Sequence, residues 1–454
     1  MQKNSSKVAI SSLLLVLFVI SFTSSAQEDT REILLERRDE LQQNFLNLYD
    51  QERYQQSILT ASEILNITQE IYGPSSQYLT NPLNNLASSY FMVGDFEQAI
   101  KLFLECIALI ESKNIISTDL VSPLVALGLA FNKSEQYNEA VESFKRALHI
   151  NWVNNGFYNL EQIDIHDSLT ESFIGLKNLE EANHHQSFQL SINNNHFGKE
   201  STKVDESLLK LANWYKRSGQ VLSERLVFKE LLGRQSNREN QESQKLIKTL
   251  QGISFSYRKE GISMYDSVSP LKKALSLFTE SENQDLRLKL ELLIDLGDTY
   301  TSYGRTQSAV KAYQDCWQLI KEDPTLRPEI EERFSKPVRV RSIFIPKRYP
   351  INQSIDNNKS YEQGFLTVRF DVETTGKTNK VTIIESDPSK LLDKVALSAI
   401  KNTIYRPTYI DAEAQRSEGL TIRHEFSYRQ TIEEFSETPI EPEIKDQPLE
   451  NPIA

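Results

Sequence analysis

Histidine and aspartate side chains that could take part in metal or acid–base chemistry are concentrated between residues 164 and 185. Asp164, His166 and Asp167 precede the adjacent pair His184 and His185, and imidazole and carboxylate groups are common metal ligands. Neighbouring residues on a helix point in different directions, so His184 and His185 do not converge on one ion. A polar surface on a helical segment is therefore the better interpretation, with a metal cluster as the alternative.

The rest of the sequence offers no recognisable catalytic set. Its six histidines include no pair four residues apart with a carboxylate helper, and it has neither a glycine-rich phosphate loop nor a Gly-x-Ser-x-Gly elbow. Cys106 and Cys316 are too few for a disulfide scaffold or a cysteine-built zinc site, and both are expected to be core residues. We therefore expect a protein that is not an enzyme and needs neither a cofactor nor a metal.

Length and composition favour a folded, helix-rich protein. The chain has 454 residues, of which 39% are hydrophobic and 25% charged, which excludes a polytopic membrane protein, a collagen-like chain and a wholly disordered chain. Lys and Arg total 51 against 63 Asp and Glu, which gives a net charge of −12. Because a negative charge opposes broad contact with phosphates, we expect no nucleic-acid partner.

The N-terminal residues have the organisation of an export signal. Lys3 and Lys7 precede an apolar run from Val8 to Phe22, and small residues follow it up to Ala26. The run of 15 residues is shorter than a bilayer-spanning segment, which needs roughly 20 apolar residues. We therefore predict a cleaved signal peptide at residues 1–26 and a periplasmic location, with an uncleaved inner-membrane anchor as the alternative.

A motif that recurs about every 42 residues organises the chain up to residue 330. In one clear copy, Leu86-Ala87 is followed by Tyr90, Gly94, Ala99 and Phe103, which resembles the tetratricopeptide repeat (TPR) pattern. The resemblance implies stacked helical hairpins, because no single hairpin can bury its apolar face. Seven hairpins are predicted within residues 27–330. Position 20 of the motif is occupied in turn by Ser57, Ala99, Ala140, Ala182, Glu224, Ser267 and Ala309.

The resemblance to TPR proteins also implies a binding groove lined by the first helix of each hairpin. Asn, Lys and Arg side chains in such a groove can hold the backbone or the acidic groups of an extended peptide. The alternative is the solvated surface of a spacer solenoid. The candidate groove residues are Asn81, Asn84, Ser88, Asn132, Lys133, Asn213, Lys216, Arg217 and Asp298.

The helical pattern ends before a proline-containing linker, predicted at residues 331–348, and a strand pattern follows. Apolar and polar residues alternate from Leu366 to Val372 and from Gly419 to Arg429, and another strand is predicted at Lys380–Glu385. Asp387-Pro388-Ser389 predicts the start of a helix before the last strand. The predicted fold is multi-domain: an all-α TPR solenoid followed by a small α+β domain with a three-stranded antiparallel sheet.

A second resemblance rests on a series of motifs after residue 348. They are Tyr349-Pro350, Gly364, Val368-Arg369-Phe370-Asp371-Val372, Gly376-Lys377, Glu385-Ser386, Leu392-Asp393 and Tyr405-Arg406-Pro407. The series resembles the C-terminal domain of TonB, the periplasmic arm of an energy transducer that serves outer-membrane transporters. The predicted domain covers residues 349–430. Tyr349 and Pro350 match the tyrosine-proline at the start of that domain, although a simple packing turn would explain them equally well.

The resemblance to TonB implies that the last strand is an open edge, which captures an extended transporter segment by strand addition. A proline at Ile422 is then expected to block capture. The predicted edge residues are Leu420, Thr421, Ile422, Arg423, His424, Glu425 and Phe426.

Two departures from the TonB pattern favour binding over force transmission. A transducer keeps an N-terminal membrane helix and a proline-rich spacer, whereas this chain has a predicted cleavable signal and a helical solenoid. The leading hypothesis is an exported periplasmic adaptor that binds an outer-membrane transporter or another envelope protein. The alternatives are a membrane-anchored transducer for transmembrane transport, and an envelope scaffold with a structural or cell-wall-binding C-terminal domain.

The C-terminal residues 431–454 have the composition of a disordered tail. They include seven acidic residues, one lysine and four prolines, and such a segment cannot bury enough apolar surface to fold. The tail is predicted to shield the more basic domain that precedes it. The sequence identifies neither the partner nor the oligomeric state.

Overall fold

The computed structural model describes residues 30–238, 243–280, 285–341, 345–349 and 361–428. The chain forms two compact units, which divide between Asn237 and Arg238. The predicted signal peptide and the predicted acidic tail lie outside the described residues. Within the described ranges, no helix is both long enough and apolar enough to cross a bilayer.

Five helical hairpins make up the described part of the first unit. In each hairpin, two consecutive helices joined by a short turn pack against each other, and successive hairpins also make contact. Their helices are residues 30–50 (α1), Tyr54–Tyr72 (α2), Thr80–Met92 (α3), Phe96–Glu111 (α4), Val121–Lys133 (α5), Tyr137–Asn155 (α6), Gln162–Gly175 (α7), Leu179–Phe197 (α8), Thr202–Arg217 (α9) and Val221–Ser236 (α10).

The second unit contains two more hairpins, a short helix and the C-terminal domain. The helices before the domain are Ser243–Glu260 (α11), Met264–Glu280 (α12), Leu286–Ser302 (α13), Thr306–Glu322 (α14) and Arg327–Phe334 (α15). We number the hairpins 1 to 7 in chain order, so that α7 and α8 form hairpin 4 and α13 and α14 form hairpin 7.

The second helix of every hairpin begins three residues before position 20 of the motif. For example, α4 begins at Phe96, three residues before Ala99, and α8 begins at Leu179, three residues before Ala182. The position-20 side chain is buried in all seven hairpins of the described chain, including Glu224, which replaces the small residue of the other copies. The predicted period and the predicted number of hairpins are therefore confirmed.

Close approach of the two helices depends on a small residue that faces an aromatic ring. A Cβ atom on Gly128 of α5 would lie 2.7 Å from the ring of Phe144 in α6, closer than packed carbon atoms approach each other. Gly297 of α13 faces the ring of Tyr313 in α14 in the same way. Both glycines hold position 8 of the motif, which explains why that position requires a small side chain.

The turn inside each hairpin contains a residue with a left-handed backbone conformation. Hairpin 7 uses Gly304 at φ 70°, whereas hairpin 4 uses Lys177 at φ 57°. The Lys177 amide donates to the Ile174 carbonyl at 2.9 Å, and the Gly304 amide donates to the Thr301 carbonyl at 3.0 Å. These bonds satisfy carbonyls at the end of the preceding helix. Glycine adopts this conformation without the Cβ strain that a lysine incurs.

The C-terminal domain contains a four-stranded main sheet, two two-stranded sheets and one helix packed on the main sheet. Its elements are Val338–Arg341 (β1), Arg348–Tyr349 (β2), Glu362–Val372 (β3), Thr378–Asp387 (β4), Asp393–Lys401 (α16), Ile404–Arg406 (β5), Thr408–Ile410 (β6), Glu413–Gln415 (β7) and Ser417–Tyr428 (β8). The main sheet has the order β2-β8-β3-β4, and β8, β3 and β4 are antiparallel as predicted. The core between α16 and the sheet contains Leu366, Val368, Phe370 and Ala396.

Two local expectations differ from the structure. The helix before the last strand begins at Asp393 instead of next to Ser389, because β4 extends to Asp387 and a turn follows it. Leu392 occupies the N-cap position of that helix without a side-chain hydrogen bond, and its side chain is buried. The predicted linker at residues 331–348 includes the end of α15 and strand β1, which pairs with β5. Part of this segment therefore belongs to the folded second unit.

The C-terminal domain shares an apolar core with hairpin 7 inside the second unit. The ring centroids of Trp317 in α14 and Phe334 in α15 are 4.5 Å apart. Tyr409 of β6 packs on the same group, with its ring 5.5 Å from that of Phe334 and 5.1 Å from that of Tyr313. Contacts between aromatic rings at these distances are stabilising, so the domain is held against the last hairpin.

Candidate protein-binding surfaces

Strand β8 pairs with β3 along one side, and on its other side the described residues pair with its C-terminal end alone. Its pairs with β3 run without a shift from Gly364 and Phe426 to Phe370 and Leu420. On the other side, the Ser427 amide donates to the Lys347 carbonyl at 2.8 Å. Since backbone groups alternate sides along a strand, those of residues 421, 423 and 425 also point outward.

The C-terminal end of this edge is already occupied by the chain itself. Strand β2 pairs in parallel with Ser427 and Tyr428. His424 Nε2 lies 2.8 Å from the Pro346 carbonyl oxygen, and Ile345 packs on the core of the domain. Among the described residues, no strand pairs with this side of β8 between Gly419 and Phe426. Within the described ranges, the predicted edge is therefore unpaired from Gly419 to Phe426 and paired at its C-terminal end by β2.

The alternation along β8 separates residues that could touch a partner from residues that hold the sheet. Thr421, Arg423 and Glu425 have exposed side chains, and the Arg423 guanidinium lies 3.7 Å from the Phe365 ring centroid. The predicted edge residues Leu420, Ile422 and Phe426 pack on the core instead, and His424 is half-buried beside Pro346.

A proline at Ile422 would therefore not test the open edge. The Ile422 amide faces β3, so its loss would damage the sheet itself. An outward amide such as that of Arg423 is the correct target for such a test.

The opposite edge of the sheet is less suited to strand addition. Strand β4 has two register shifts against β3, and Lys380 lies within it at φ 48°. Such bulges bend an edge and interrupt its regular row of donors and acceptors. Strand β8 pairs with β3 without a shift from Leu420 to Phe426. Near its start, the Asp371 carboxylate accepts from the Gly419 amide at 2.9 Å and from Arg416 at 2.7 Å. These bonds lower the pKa of Asp371.

Of the Tyr349-Pro350 motif at the start of the domain, the described residues include Tyr349 alone. The backbone of Tyr349 lies in β2, next to the closed end of the β8 edge. Pro350 lies outside the described residues. The backbone position of Tyr349 connects this motif with the edge strand.

The predicted groove residues of hairpins 2 and 3 occupy different settings. Asn81 and Asn84 line a polar cavity of about 680 Å³, where Asn84 Oδ1 is buried without a hydrogen-bond partner. Ser88 is half-buried and Lys133 is exposed. Asn132 is used within the structure, because its Oδ1 accepts from the Ser172 hydroxyl at 2.8 Å. Asn81 and Asn84 therefore share one cavity, whereas Asn132 contacts the next hairpin.

A second cavity, of about 630 Å³, lies between α7 and α9 and includes one predicted groove residue, Arg217. Asn213 and Lys216 are exposed on the same helix. On the cavity wall, Asp167 accepts from Lys210 at 2.5 Å and from Gln186 and Gln189. Burial opposes ionisation of Asp167, but these hydrogen bonds outweigh it and lower its pKa.

Asp298, predicted to line the groove in hairpin 7, is instead buried against the C-terminal domain. Its carboxylate lies 3.3 Å from Arg406 Nη1 and accepts from the Tyr313 hydroxyl at 2.8 Å. Arg406 also donates to the Arg333 carbonyl at 3.3 Å, and its guanidinium lies 5.0 Å from the Phe334 ring centroid. The arginine of the Tyr-Arg-Pro motif therefore joins the domain to α13. No sequence signal marks this pair, whose members are 108 positions apart.

The C-terminal half of the first-helix surface of hairpin 7 is covered as well, whereas Glu291 near its start is exposed. Ile294, Thr301 and Ser302 are buried, and Arg341 of β1 donates to the Ser302 carbonyl at 3.4 Å. A Cβ atom on Gly376 would lie 3.2 Å from the Thr301 methyl group. The C-terminal domain therefore occupies the surface that the repeat pattern assigns to a groove.

The histidine and aspartate residues of hairpin 4 form a buried contact and an ion pair. His166 Nδ1 lies 2.8 Å from His185 Nδ1, so one ring must donate and the other accept. Burial lowers the pKa of His166 to about 4 and that of His185 to about 3, and the nearby His184 adds to both shifts. Asp167 is directed to Lys210. Within the described ranges, no three His, Cys, Asp or Glu side chains converge to hold a metal ion.

The two cysteines lie in the core of their hairpins. Both thiols are buried, and that of Cys106 donates to the Thr80 carbonyl at 3.3 Å. Burial raises the pKa of Cys106 to about 11 and raises that of Cys316 further above its usual range. Neither thiol is therefore readily converted to a reactive thiolate at neutral pH.

Fold and surfaces together define a helical-repeat protein that carries a small α+β domain, in which the described residues leave most of one edge of β8 unpaired. Residues 348–428 match the family model described as the Gram-negative bacterial TonB protein C-terminal. Residues 46–112 and 121–151 match two tetratricopeptide repeat models. The chain therefore contains TPR repeats followed by a TonB C-terminal domain. Both families are associated with protein–protein interaction, and the TonB match indicates a role at the cell envelope.

Several solved structures are similar to parts of this chain at low sequence identity. BtubC (BKLC) from P. vanneervenii is 19% identical, with a TM-score of 0.35, over 50% of this chain and 91% of that chain. PilF of Pseudomonas aeruginosa is 16% identical, with a TM-score of 0.33, over 56% of this chain and 97% of that chain. The STAND protein PH0952 from Pyrococcus horikoshii is 12% identical, with a TM-score of 0.37, over 64% of this chain and 46% of that chain. No curated protein matches the sequence.

Proposed function

We propose that this protein is an exported, periplasmic, non-enzymatic adaptor that binds other proteins at two surfaces. One surface is the open edge of β8, and the other is the exposed first-helix surface of the hairpins in the first unit. The outward-facing backbone groups of Thr421, Arg423 and Glu425, in a stretch of β8 that pairs with β3 without a shift, are the single observation that carries the proposal.

An extended partner segment binds this edge by adding a strand to the sheet. The outward amides and carbonyls of Thr421, Arg423 and Glu425 supply the hydrogen bonds, which do not depend on the partner's side chains. The exposed side chains of the same three residues then lie beside the added strand and supply selectivity. The resemblance to TonB supports an outer-membrane transporter, or another envelope protein with an extended periplasmic segment, as the partner.

A proline at an outward position tests the edge. Arg423→Pro removes an amide that faces the partner, and edge strands tolerate proline there. We expect Arg423→Pro to weaken binding at least about tenfold, because an added strand loses a hydrogen bond and meets the proline ring. Arg423→Ala, which keeps the amide, is the matched control and should bind within a few-fold of the parent.

The measurement is fluorescence anisotropy with synthetic peptides that represent extended periplasmic segments of outer-membrane transporters. Circular dichroism of each variant confirms that the sheet is intact, and Ile422→Pro should fail this check because its amide faces β3. Equal peptide affinity of the Arg423→Pro variant and the parent would show that the edge is not the binding surface.

One observation favours an envelope scaffold as a second candidate function. The Arg406–Asp298 ion pair and the packing of Tyr409 fix the C-terminal domain on hairpin 7, which suits a domain with a structural role. A scaffold of this kind would bind through the repeats alone, so Arg423→Pro would leave every partner bound. Sequencing of the mature N-terminus tests export, and Gln27 as the first residue would exclude a retained membrane anchor.

A further inference from the structure

Hairpin 7 shows what one first-helix position of these repeats can bind. Asp298 lies eleven residues before position 20, which is Ala309 in that hairpin. Its carboxylate takes the guanidinium of Arg406, and the neighbouring Tyr405 and Pro407 are buried. The chain therefore contains its own example of an arginine-bearing segment bound at this position.

Hairpin 4 carries a second carboxylate at the equivalent position. Glu171 lies eleven residues before Ala182, its position-20 residue. Unlike Asp298, Glu171 is exposed, and its carboxylate has no hydrogen bond or ion pair with any described residue. A carboxylate at this place in the motif is therefore satisfied in hairpin 7 and available in hairpin 4.

The surroundings of Glu171 form a cavity of about 630 Å³ with both apolar and charged parts. Ile174 and Leu179 are 49% and 42% exposed at its wall, and Trp214 lies in its floor. Exposed aliphatic side chains beside a buried tryptophan are a suitable surface for an apolar side chain of a ligand. Arg217, also exposed, supplies a positive charge at the same cavity.

We infer that the cavity between α7 and α9 binds an extended segment of another protein, with an arginine of that segment against Glu171. This inference rests on the proposed function of the repeats as a protein-binding surface. A guanidinium matches a carboxylate in a two-bonded geometry. An apolar or aromatic residue next to the arginine covers Ile174 and Leu179, and an acidic or carbonyl group of the segment faces Arg217. Asp167 and Lys210 take no part, because they are paired with each other.

A peptide-display selection tests this chemistry without knowledge of the natural partner. Random seven-residue peptides are selected on the purified full chain and, in parallel, on the Glu171→Arg variant. We expect peptides from the parent to be enriched in arginine next to an aromatic or aliphatic residue. The variant should select acidic residues at that place instead, and it should bind the parent-selected peptides at least about tenfold more weakly.

Matched variants separate the cavity from general charge effects. Glu142→Arg makes the same charge change at an exposed residue of α6 outside the cavity, and it should leave the selected peptides unchanged. A parent-selected peptide with arginine replaced by glutamate should recover affinity for Glu171→Arg, because the charges are exchanged across one contact.

Three results would overturn the inference: no enrichment on the parent, an enriched motif without arginine, or the same motif on the parent and on Glu171→Arg. Failure of the strand-addition function is distinguishable from these results. If Glu171→Arg changes nothing while Arg423→Pro abolishes transporter-peptide binding, the edge proposal stands and the cavity proposal falls. The reverse result would leave the cavity as the binding site and remove the edge.

Discussion

Hairpins 4 and 7 follow the same repeat pattern but have opposite environments. Both carry a carboxylate eleven residues before position 20, Glu171 in hairpin 4 and Asp298 in hairpin 7. The C-terminal domain buries the second of these together with Thr301 and Ser302, whereas the first remains exposed beside an open cavity. A repeat position therefore specifies the direction of a side chain, and the neighbouring structure determines whether that side chain becomes a ligand site or an interior residue.

The two hairpins also differ in how their polar interiors are neutralised. Hairpin 7 pairs a carboxylate with a guanidinium, and hairpin 4 buries two neutral imidazoles against each other. The first arrangement depends on a guanidinium supplied by the C-terminal domain, while the second depends on two rings that remain unprotonated. The hairpins should therefore respond differently to mutation and to acid.

The largest expected difference comes from removal of the two equivalent carboxylates. Asp298→Ala leaves the buried Arg406 guanidinium without its partner, which should cost about 3–5 kcal/mol of unfolding free energy. Glu171→Ala, the matched control, should change the free energy of unfolding by less than about 0.5 kcal/mol, because Glu171 is exposed. Urea denaturation of the full-length variants, followed by circular dichroism, measures both. Similar costs for the two variants would contradict the comparison.

Acid should destabilise the first unit through the buried histidines of hairpin 4. Because their pKa values are lower in the folded than in the unfolded protein, unfolding takes up protons and stability is lost as the pH falls from about 6.5 towards 4. Each histidine should contribute a slope of up to about 1.4 kcal/mol per pH unit.

Urea denaturation at a series of pH values measures this slope. The double variant His166→Gln/His185→Gln cannot titrate at these positions and serves as the control. An unchanged pH dependence in that variant would assign the acid sensitivity to other groups.

The packing between Gly297 and Tyr313 should respond to a single methyl group. Gly297→Ala places a Cβ against the Tyr313 ring, which also holds Asp298 by a hydrogen bond, and overpacking of this kind costs about 1–3 kcal/mol. Gly233→Ala is the control, since no atom lies within 4 Å of the added carbon. It should stabilise its helix by about 0.5–1 kcal/mol. Thermal unfolding curves should therefore shift in opposite directions.

The smallest expected difference concerns the turns inside the two hairpins. Gly304→Ala in hairpin 7 forces a Cβ into a left-handed conformation and should cost about 1 kcal/mol. Lys177→Gly in hairpin 4 relieves similar strain but adds freedom to the unfolded chain, so its net effect should be below about 0.5 kcal/mol. Denaturation midpoints of the two variants provide the measurement. A large loss in Lys177→Gly would mean that its side chain has an unrecognised contact.

Much of the fold was predictable because periodicity reports local geometry. The spacing of Ala99, Ala140 and Ala182 predicted where the second helices begin, since helix packing requires a small residue at that point. Alternation along residues 419–429 correctly separated the core side of β8 from its solvent side. The start of α16 was misplaced, because Asp387-Pro388-Ser389 has the composition of a helix start but lies in the turn after a longer strand.

The candidate sites were less predictable, because they depend on contacts between distant residues. The repeat pattern predicted Asp298 as one of several polar groove residues, a set that also included Lys216 and Arg217. Nothing in the sequence linked Asp298 to Arg406. Likewise, alternation did not reveal which backbone amides of β8 face outward, and the predicted proline site, Ile422, has an amide that faces β3. Both features follow from strand pairing and domain packing.

The amino-acid sequence alone determined the number of hairpins, their register and the order of elements in the C-terminal domain, because these depend on side-chain spacing along one chain segment. Only the tertiary structure decided which repeat surface is covered, which end of the β8 edge is closed and which carboxylate remains free. Those outcomes depend on which non-adjacent segments meet, and the burial of a charge such as that of Asp298 is favourable only where its partner is brought within bonding distance.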